Sequence, residues 1–383
     1  MNRIVGSICA LVLVTSCGPG IVNGQEHRWP IAPTDKDHPL GATLGQFQEV
    51  HGKVYQHTGI DILETSCSPG DTACIASLQL SCGDAAEPCV IATVGGFVWT
   101  NMFGANDPGP GEGEALHIEA THADAPDIIA ANVKRTYRYY HLKHASYFAA
   151  FVDSYKRNAS VLSGTPIARI NPWTCDYKHL HYDVFEPDSA GSFQYLNPLS
   201  AIAIDSRRDV QAPEFVFGIK LAKRNSSGWT AFSSAGDACT VVKDKVDIVV
   251  QLRDRDDAGS NLPGAQNVGI YNLRWRACPE STPDCAWNDT QRYDAMPIGW
   301  EIHDNDDTKA QFSTTSPWVS NHDQCPTTEN KTFMVATSIP AAGSWDTKKD
   351  GRYPNGRYLV SVQASDIAGN VSVKIIQACV ANR

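Results

Sequence analysis

The residues best equipped for chemistry are histidines and acids in the first two hundred positions. His57 and Asp61 stand four apart in YQHTGIDIL, His141 closes the run TYRYYH, and His179 and His181 flank a leucine in HLHYDVFEP. Imidazole nitrogens and carboxylate oxygens are side-chain donors that could hold a metal ion. On a strand, successive side chains alternate faces, so His179 and His181 point the same way while Leu180 points to the other side. The same alternation in TYRYYHLKH predicts Tyr137, Tyr139 and His141 on one face. Each pattern alone also fits a polar turn, a solvent-facing histidine pair or a strand-end residue packed on aromatics. Only their combination in one place would make a site.

The elements that must position these residues are mostly strands. Runs at 90–100 and 136–142 read as strands, and Phe148, Phe151, Val152 and Tyr155 follow a helical period. Ten of the twelve histidines fall before residue 200, and the chain changes character near Arg207 to Pro213. Beyond it VDIVVQLRD, VGIYNLRWRA, TFMVATS and RYLVSVQAS alternate with period two between Gly, Asn, Asp and Pro turns. That is the pattern of a β-sandwich. The expected fold is mainly β, with an antiparallel first domain over 39–206 and a β-sandwich over 212–383. ASDIAGNVS resembles the last strands of bacterial immunoglobulin-like or fibronectin-like modules, where Asp and Gly-Asn shape a turn, which implies an immunoglobulin-like sandwich. HDNDD at 303–307 lacks the spacing of a calcium loop and reads as a solvated turn.

Charge and cysteines set the compartment. The net charge of −10 is spread along the 383 residues with no long basic run, which argues against a nucleic-acid partner. The opening MNRIVGSICALVLVTSCGPG carries an apolar run too short to span a bilayer, read as a signal peptide over 1–16. Ten cysteines follow Cys17, and in an exported chain they are expected as disulfides. SCSPGDTACIASLQLSCGDAAEPC reads as a loop-like segment, its cysteine spacing unlike a zinc knuckle. Five of the ten cysteines lie in each half, so complete pairing requires an odd number of bridges between halves. Cys175 is the expected crossing residue.

Two further resemblances then emerge. Val14-Thr15-Ser16-Cys17 resembles the bacterial lipobox, which implies lipidation of Cys17, a lipidated linker over 17–38 and a membrane-anchored protein of the cell envelope, in the outer membrane or periplasm. In sequence order, HTGID, YYHL and HLHYDV resemble the His-x-Gly-x-Asp, Tyr-x-His-Leu and His-Leu-His-Phe-Glu elements of the M23 zinc metallopeptidases of lysostaphin and LytM type. CVIATVGGFVW, SGTPIARI and LNPLSA are similar to the family's flanking segments, and the likeness runs from about Pro39 to Ala201. It implies Zn²⁺ held by His57, Asp61 and His181. It also implies catalytic roles for His141 and His179, one accepting the water proton and the other hydrogen-bonding the oxyanion. Asp183 or Glu186 would orient a histidine from behind.

The implied activity is endopeptidase cleavage of peptidoglycan cross-bridges or stems, or of a glycine-rich peptide. The alternative is a non-catalytic wall-binding or hydrolase-regulating lipoprotein. The chain departs from the family in having INPWTCDYKHLH where a Gly-x-Thr-Gly turn is usual, and in insertions at 66–88 and 146–159. His117, His122 and His144 have no counterpart in the motif and are read as surface or packing residues, with His144 the alternative to His141.

Overall fold

The computed structural model describes residues 29–50, 53–64, 67, 70–83, 87–101, 114–143, 159–171, 178–201, 209–226, 228–235, 239–255, 269–297, 309, 311–312, 314–315, 318–320, 331–337, 344–348 and 351–382. Cys17 and the leader, the helical period at 148–155, His144, Cys175, Cys325 and HDNDD lie outside the described residues.

The protein is mainly β. Its first half contributes β1 (Leu40–Ala42), β2 (Phe47–Val50), β3 (Lys53–Gln56), β4 (Ile60–Leu63), β5 (Val90–Ile91), β6 (Gly96–Asn101), β7 (Glu114–Thr121), β8 (Lys134–Lys143), β9 (Ser160–Val161), β10 (Pro166–Ile170), β11 (His179–Pro187) and β12 (Phe193–Leu196). The main antiparallel sheet runs β1-β4-β11-β8-β7-β6-β9, and β12 adds to β11. Alternation gives this sheet two unlike faces. Leu180, Tyr182 and Val184 of β11 and Tyr137 and Tyr139 of β8 are fully buried in an apolar cluster with Ile60, Ile62 and Ile118. The alternate residues His179, His181 and Asp183 carry polar groups to the other face, so a dry core directly backs the chemistry-bearing side chains.

The cysteine-rich segment is not all loop. It contains α1 (Thr72–Cys82), whose first turn is capped by Asp71 accepting from the Cys74 amide and whose end is closed by Gly83 in the left-handed region. Cys67–Cys74 and Cys82–Cys89 staple its two ends. Four cysteines and several small residues mask the helical signal in the sequence, whereas the Asp and Gly caps were its readable trace. Cys239–Cys379 and Cys278–Cys285 are also bridged. These bridges fit an oxidising compartment, extracellular or periplasmic. No described helix is long and apolar enough to cross a membrane.

The second half is a sandwich of a five-stranded and a six-stranded sheet. Val246, Ile248, Val250 and Leu252 from one meet Trp275, Val360, Val362 and Ala364 from the other in one core. The Asp366-to-Asn370 turn has the expected form: Asn370 donates its amide and side-chain nitrogens to the Asp366 carboxylate. The halves are not self-contained. Strand Ala295–Pro297 pairs with β12 and so extends the first sheet, while Phe47 and Val54 of the β2–β3 hairpin are buried in the sandwich core.

Candidate metal centre

Three side-chain atoms that could hold a metal ion come together. β4 and β11 are hydrogen-bonded neighbours with Asp61 opposite His181, and His57 enters from the turn just ahead of β4. His57, Asp61 and His181 each offer one atom, all within 4.8 Å of one another. Gly59 lets this turn lie against β11: a Cβ there would meet the Tyr182 carbonyl oxygen at 2.3 Å and Asp183 Cβ at 2.7 Å.

Hydrogen bonds fix both rings. His57 Nδ1 lies 3.0 Å from the Gly59 carbonyl, an acceptor only, so Nδ1–H donates there and Nε2 faces Asp61 Oδ1 at 3.0 Å. His181 turns Nε2 toward Asp183 Oδ2 at 3.2 Å and Thr58 Oγ1 at 3.1 Å, which leaves Nδ1 facing Asp61 Oδ1 at 3.1 Å. With both rings neutral, two nitrogen lone pairs and a carboxylate oxygen would point at one another. Such an arrangement holds only with positive charge among them, either protons or a metal cation.

Burial and charge oppose each other here. Burial pushes the Asp61 carboxyl up, but His57, His179 and His181 outweigh it and hold Asp61 well below the usual carboxylate range. Burial pulls His181 down, while its hydrogen bonds to Asp183 and Asp61 raise it to about 9 in the metal-free chain. Asp183 is fully buried; burial raises its pKa, and Arg138 and His181 bring it below the ordinary value. Arg138 Nε donates to both Asp183 oxygens at 3.1 and 2.9 Å. Of the two acids expected behind a histidine, Asp183 takes that place. Glu186 instead pairs with Arg135 at 2.9 Å.

His141 and His179 join the cluster. Their ring centroids are 4.6 Å apart, His141 is 6.1 Å from the His181 ring, and His179 Nε2 is 3.7 Å from Asp61 Oδ1. The expectation that Tyr137, Tyr139 and His141 share a face fails at His141. The register of β7 and β8 slips between Glu114 and Leu116, and His141 adopts φ +66°, so alternation breaks and its ring turns to the side of His179 and His181. Tyr139 stays on the core side, its phenol bonded to Thr93 and its ring packed on Tyr182. Burial first, then the neighbouring His179 and His181, holds His141 well below its ordinary pKa, so it is uncharged at neutral pH.

The remaining histidines play other parts. His117 is buried and stacked on Trp99 at 3.8 Å, and the His122 ring meets the Ile129 carbonyl at 2.7 Å. Arg138 and Thr58 were not singled out in the sequence. Arg138 could have been found as the β8 residue paired with Asp183, had the strand register been known. Asp209, Asp254 and Asp366 form a second convergence, three buried carboxylates within 4.8 Å that are far apart in sequence and gave no motif. No protein-family model matches the chain, and no curated protein matches it.

Proposed function

We propose that this protein is a zinc-dependent endopeptidase of the M23 type that cleaves peptide bonds in peptidoglycan cross-bridges or stems. The observation that carries the reading is the meeting of His57, Asp61 and His181 around one point with His141 and His179 beside it. The donor set suits zinc. Tetrahedral ligands about 2.0–2.1 Å from the ion stand about 3.3 Å apart, and Asp61 Oδ1 is 3.0 and 3.1 Å from the two imidazole nitrogens. When bound, zinc would lower the pKa of a water and polarise a scissile carbonyl.

The chain's own groups supply the rest. Asp183, anchored by Arg138, holds His181 with Nδ1 toward the ion position, and the Gly59 carbonyl does the same for His57 Nε2. His141 and His179 supply a proton acceptor and a hydrogen-bond donor on the same side of Asp61, the two roles that peptide hydrolysis needs. Burial keeps His141 uncharged and so able to accept. Lipidation at Cys17 would hold the enzyme beside the wall.

The test is mass spectrometry of fragments released from purified peptidoglycan by the chain from Gly18 onward, with Zn²⁺, with chelator and as His181→Ala. Release that needs zinc and is lost in the variant identifies the bond cut. No release from several wall types by a zinc-loaded chain refutes the reading in favour of a binding or regulatory lipoprotein.

A further inference from the structure

The two backbone groups of His57 are held by a loop that leans on the second half of the chain. Gly45 N donates to the His57 carbonyl at 2.8 Å, and His57 N donates to the Gln46 carbonyl at 2.9 Å. Gly45 has φ +77°, and a Cβ there would come within 1.9–2.5 Å of three ring carbons of Tyr293. The loop therefore lies flat against that ring, an approach and a backbone conformation that suit glycine. Tyr293 is itself buried, and its hydroxyl accepts from the Gln311 side chain and donates to Gln56 Oε1, on the residue preceding His57, at 3.4 Å.

The hairpin leading to His57 is anchored from the same direction. Phe47 is fully buried in the sandwich core, its ring 5.4 Å from Phe312, and Gly269 N donates to Thr43 Oγ1 at 2.8 Å. Asn197 N donates to the Asp294 carbonyl at 2.8 Å, and its side chain donates to the Tyr293 carbonyl at 3.0 Å. A metal ligand is thus fixed on one side by the first sheet and on the other by the sandwich.

We infer that the second half of the chain is a positioning element of the metal centre, with Tyr293, on the link between the sandwich and the strand Ala295–Pro297, setting the place of His57 through Gly45 and Gln46. This rests on the reading of His57, Asp61 and His181 as a metal site. Linkage makes the effect reciprocal: metal binding tightens the junction between the halves, and whatever loosens that junction weakens metal binding.

The test uses the full chain with Zn²⁺ as probe. Zinc affinity is measured by chelator competition in the unmodified chain, in Tyr293→Leu, and in Val249→Ala, which removes volume from a separate apolar cluster with Trp229, Phe333 and Val335 that holds no hairpin residue. Tyr293→Leu is expected to bind zinc at least about tenfold more weakly, the scale of losing a group behind a ligand, and Val249→Ala to bind as the unmodified chain does. Hydrogen exchange of the unmodified chain gives a readout that needs no variant: zinc should slow exchange of the Tyr293 amide, which donates to the Tyr271 carbonyl. Unchanged exchange in a zinc-loaded chain, or full affinity in a folded Tyr293→Leu, overturns the inference. An unmodified chain that binds no zinc overturns the metal reading beneath it, and equal losses in both variants show global destabilisation and overturn the positioning role.

Discussion

Replacing Asp183 by Asn tests how the proposed metal centre is built, because the change keeps size and removes charge. Asp183 is fully buried and accepts from Arg138 Nε at 3.1 and 2.9 Å, from Thr58 Oγ1 at 3.2 Å and from His181 Nε2 at 3.2 Å. An amide offers one acceptor oxygen, and its NH₂ faces donors that cannot receive it. Breaking a buried ion pair by removing one partner costs roughly 3–5 kcal/mol. The Arg138 side chain is 28% exposed, and water shares its charge, so about 3 kcal/mol of stability is expected. Without its carboxylate partner His181 loses tautomer and orientation, and zinc affinity should fall ten- to a hundredfold, about 1.4–2.8 kcal/mol. Chelator competition reads the affinity, and denaturant unfolding reads the stability. Arg138→Gln leaves the Asp183 carboxylate on His181 and should lower stability with a smaller loss of affinity. A folded Asp183→Asn with unchanged zinc affinity would refute the reasoning.

Other consequences follow from the same geometry. In the metal-free chain His181 titrates near 9 instead of 6.5, and metal requires the neutral ring, so zinc affinity should rise about tenfold per pH unit up to that value. The raised pKa stabilises the metal-free fold fully below pH 6.5 and ceases to do so as pH rises through 9. Melting curves should show that decline without zinc and lose it with zinc, and a pH-independent affinity would contradict the assignment. Gly59→Ala must push the His57–Asp61 turn off the Tyr182 carbonyl; roughly 1–3 kcal/mol of stability should go, with weaker zinc binding by titration calorimetry. Among the described residues four bridges use eight of the ten cysteines after Cys17; the other two are Cys175 and Cys325, one in each half. Non-reducing peptide mapping should find them joined, and a free thiol at either would overturn the expectation of a crossing bridge.

What the sequence revealed, and what it hid, follows the range of the interactions. His179, His181 and Asp183 were legible because strand alternation is local and β11 keeps it without a break. His57 and Asp61 were legible by type, although the reason for the glycine between them is the close approach of β11, which no local pattern carries. His141 was found but placed on the wrong face, because a bulge depends on pairing with β7. Arg138 was missed because its role is fixed by strand register across 45 residues. The hairpin around Phe47 was missed for the same kind of reason: an apolar pair on a hairpin does not state which core it enters, and Phe47 meets Phe312.

X-ray absorption at the zinc edge of the loaded chain tests the central claim most directly. One ion per chain is expected, with two imidazole nitrogens and oxygen donors at about 2.0–2.1 Å, and Asp61→Ala should abolish stoichiometric loading. Sulfur scattering at about 2.3 Å, or full zinc loading in Asp61→Ala, would contradict the assignment of His57, Asp61 and His181 as the metal centre.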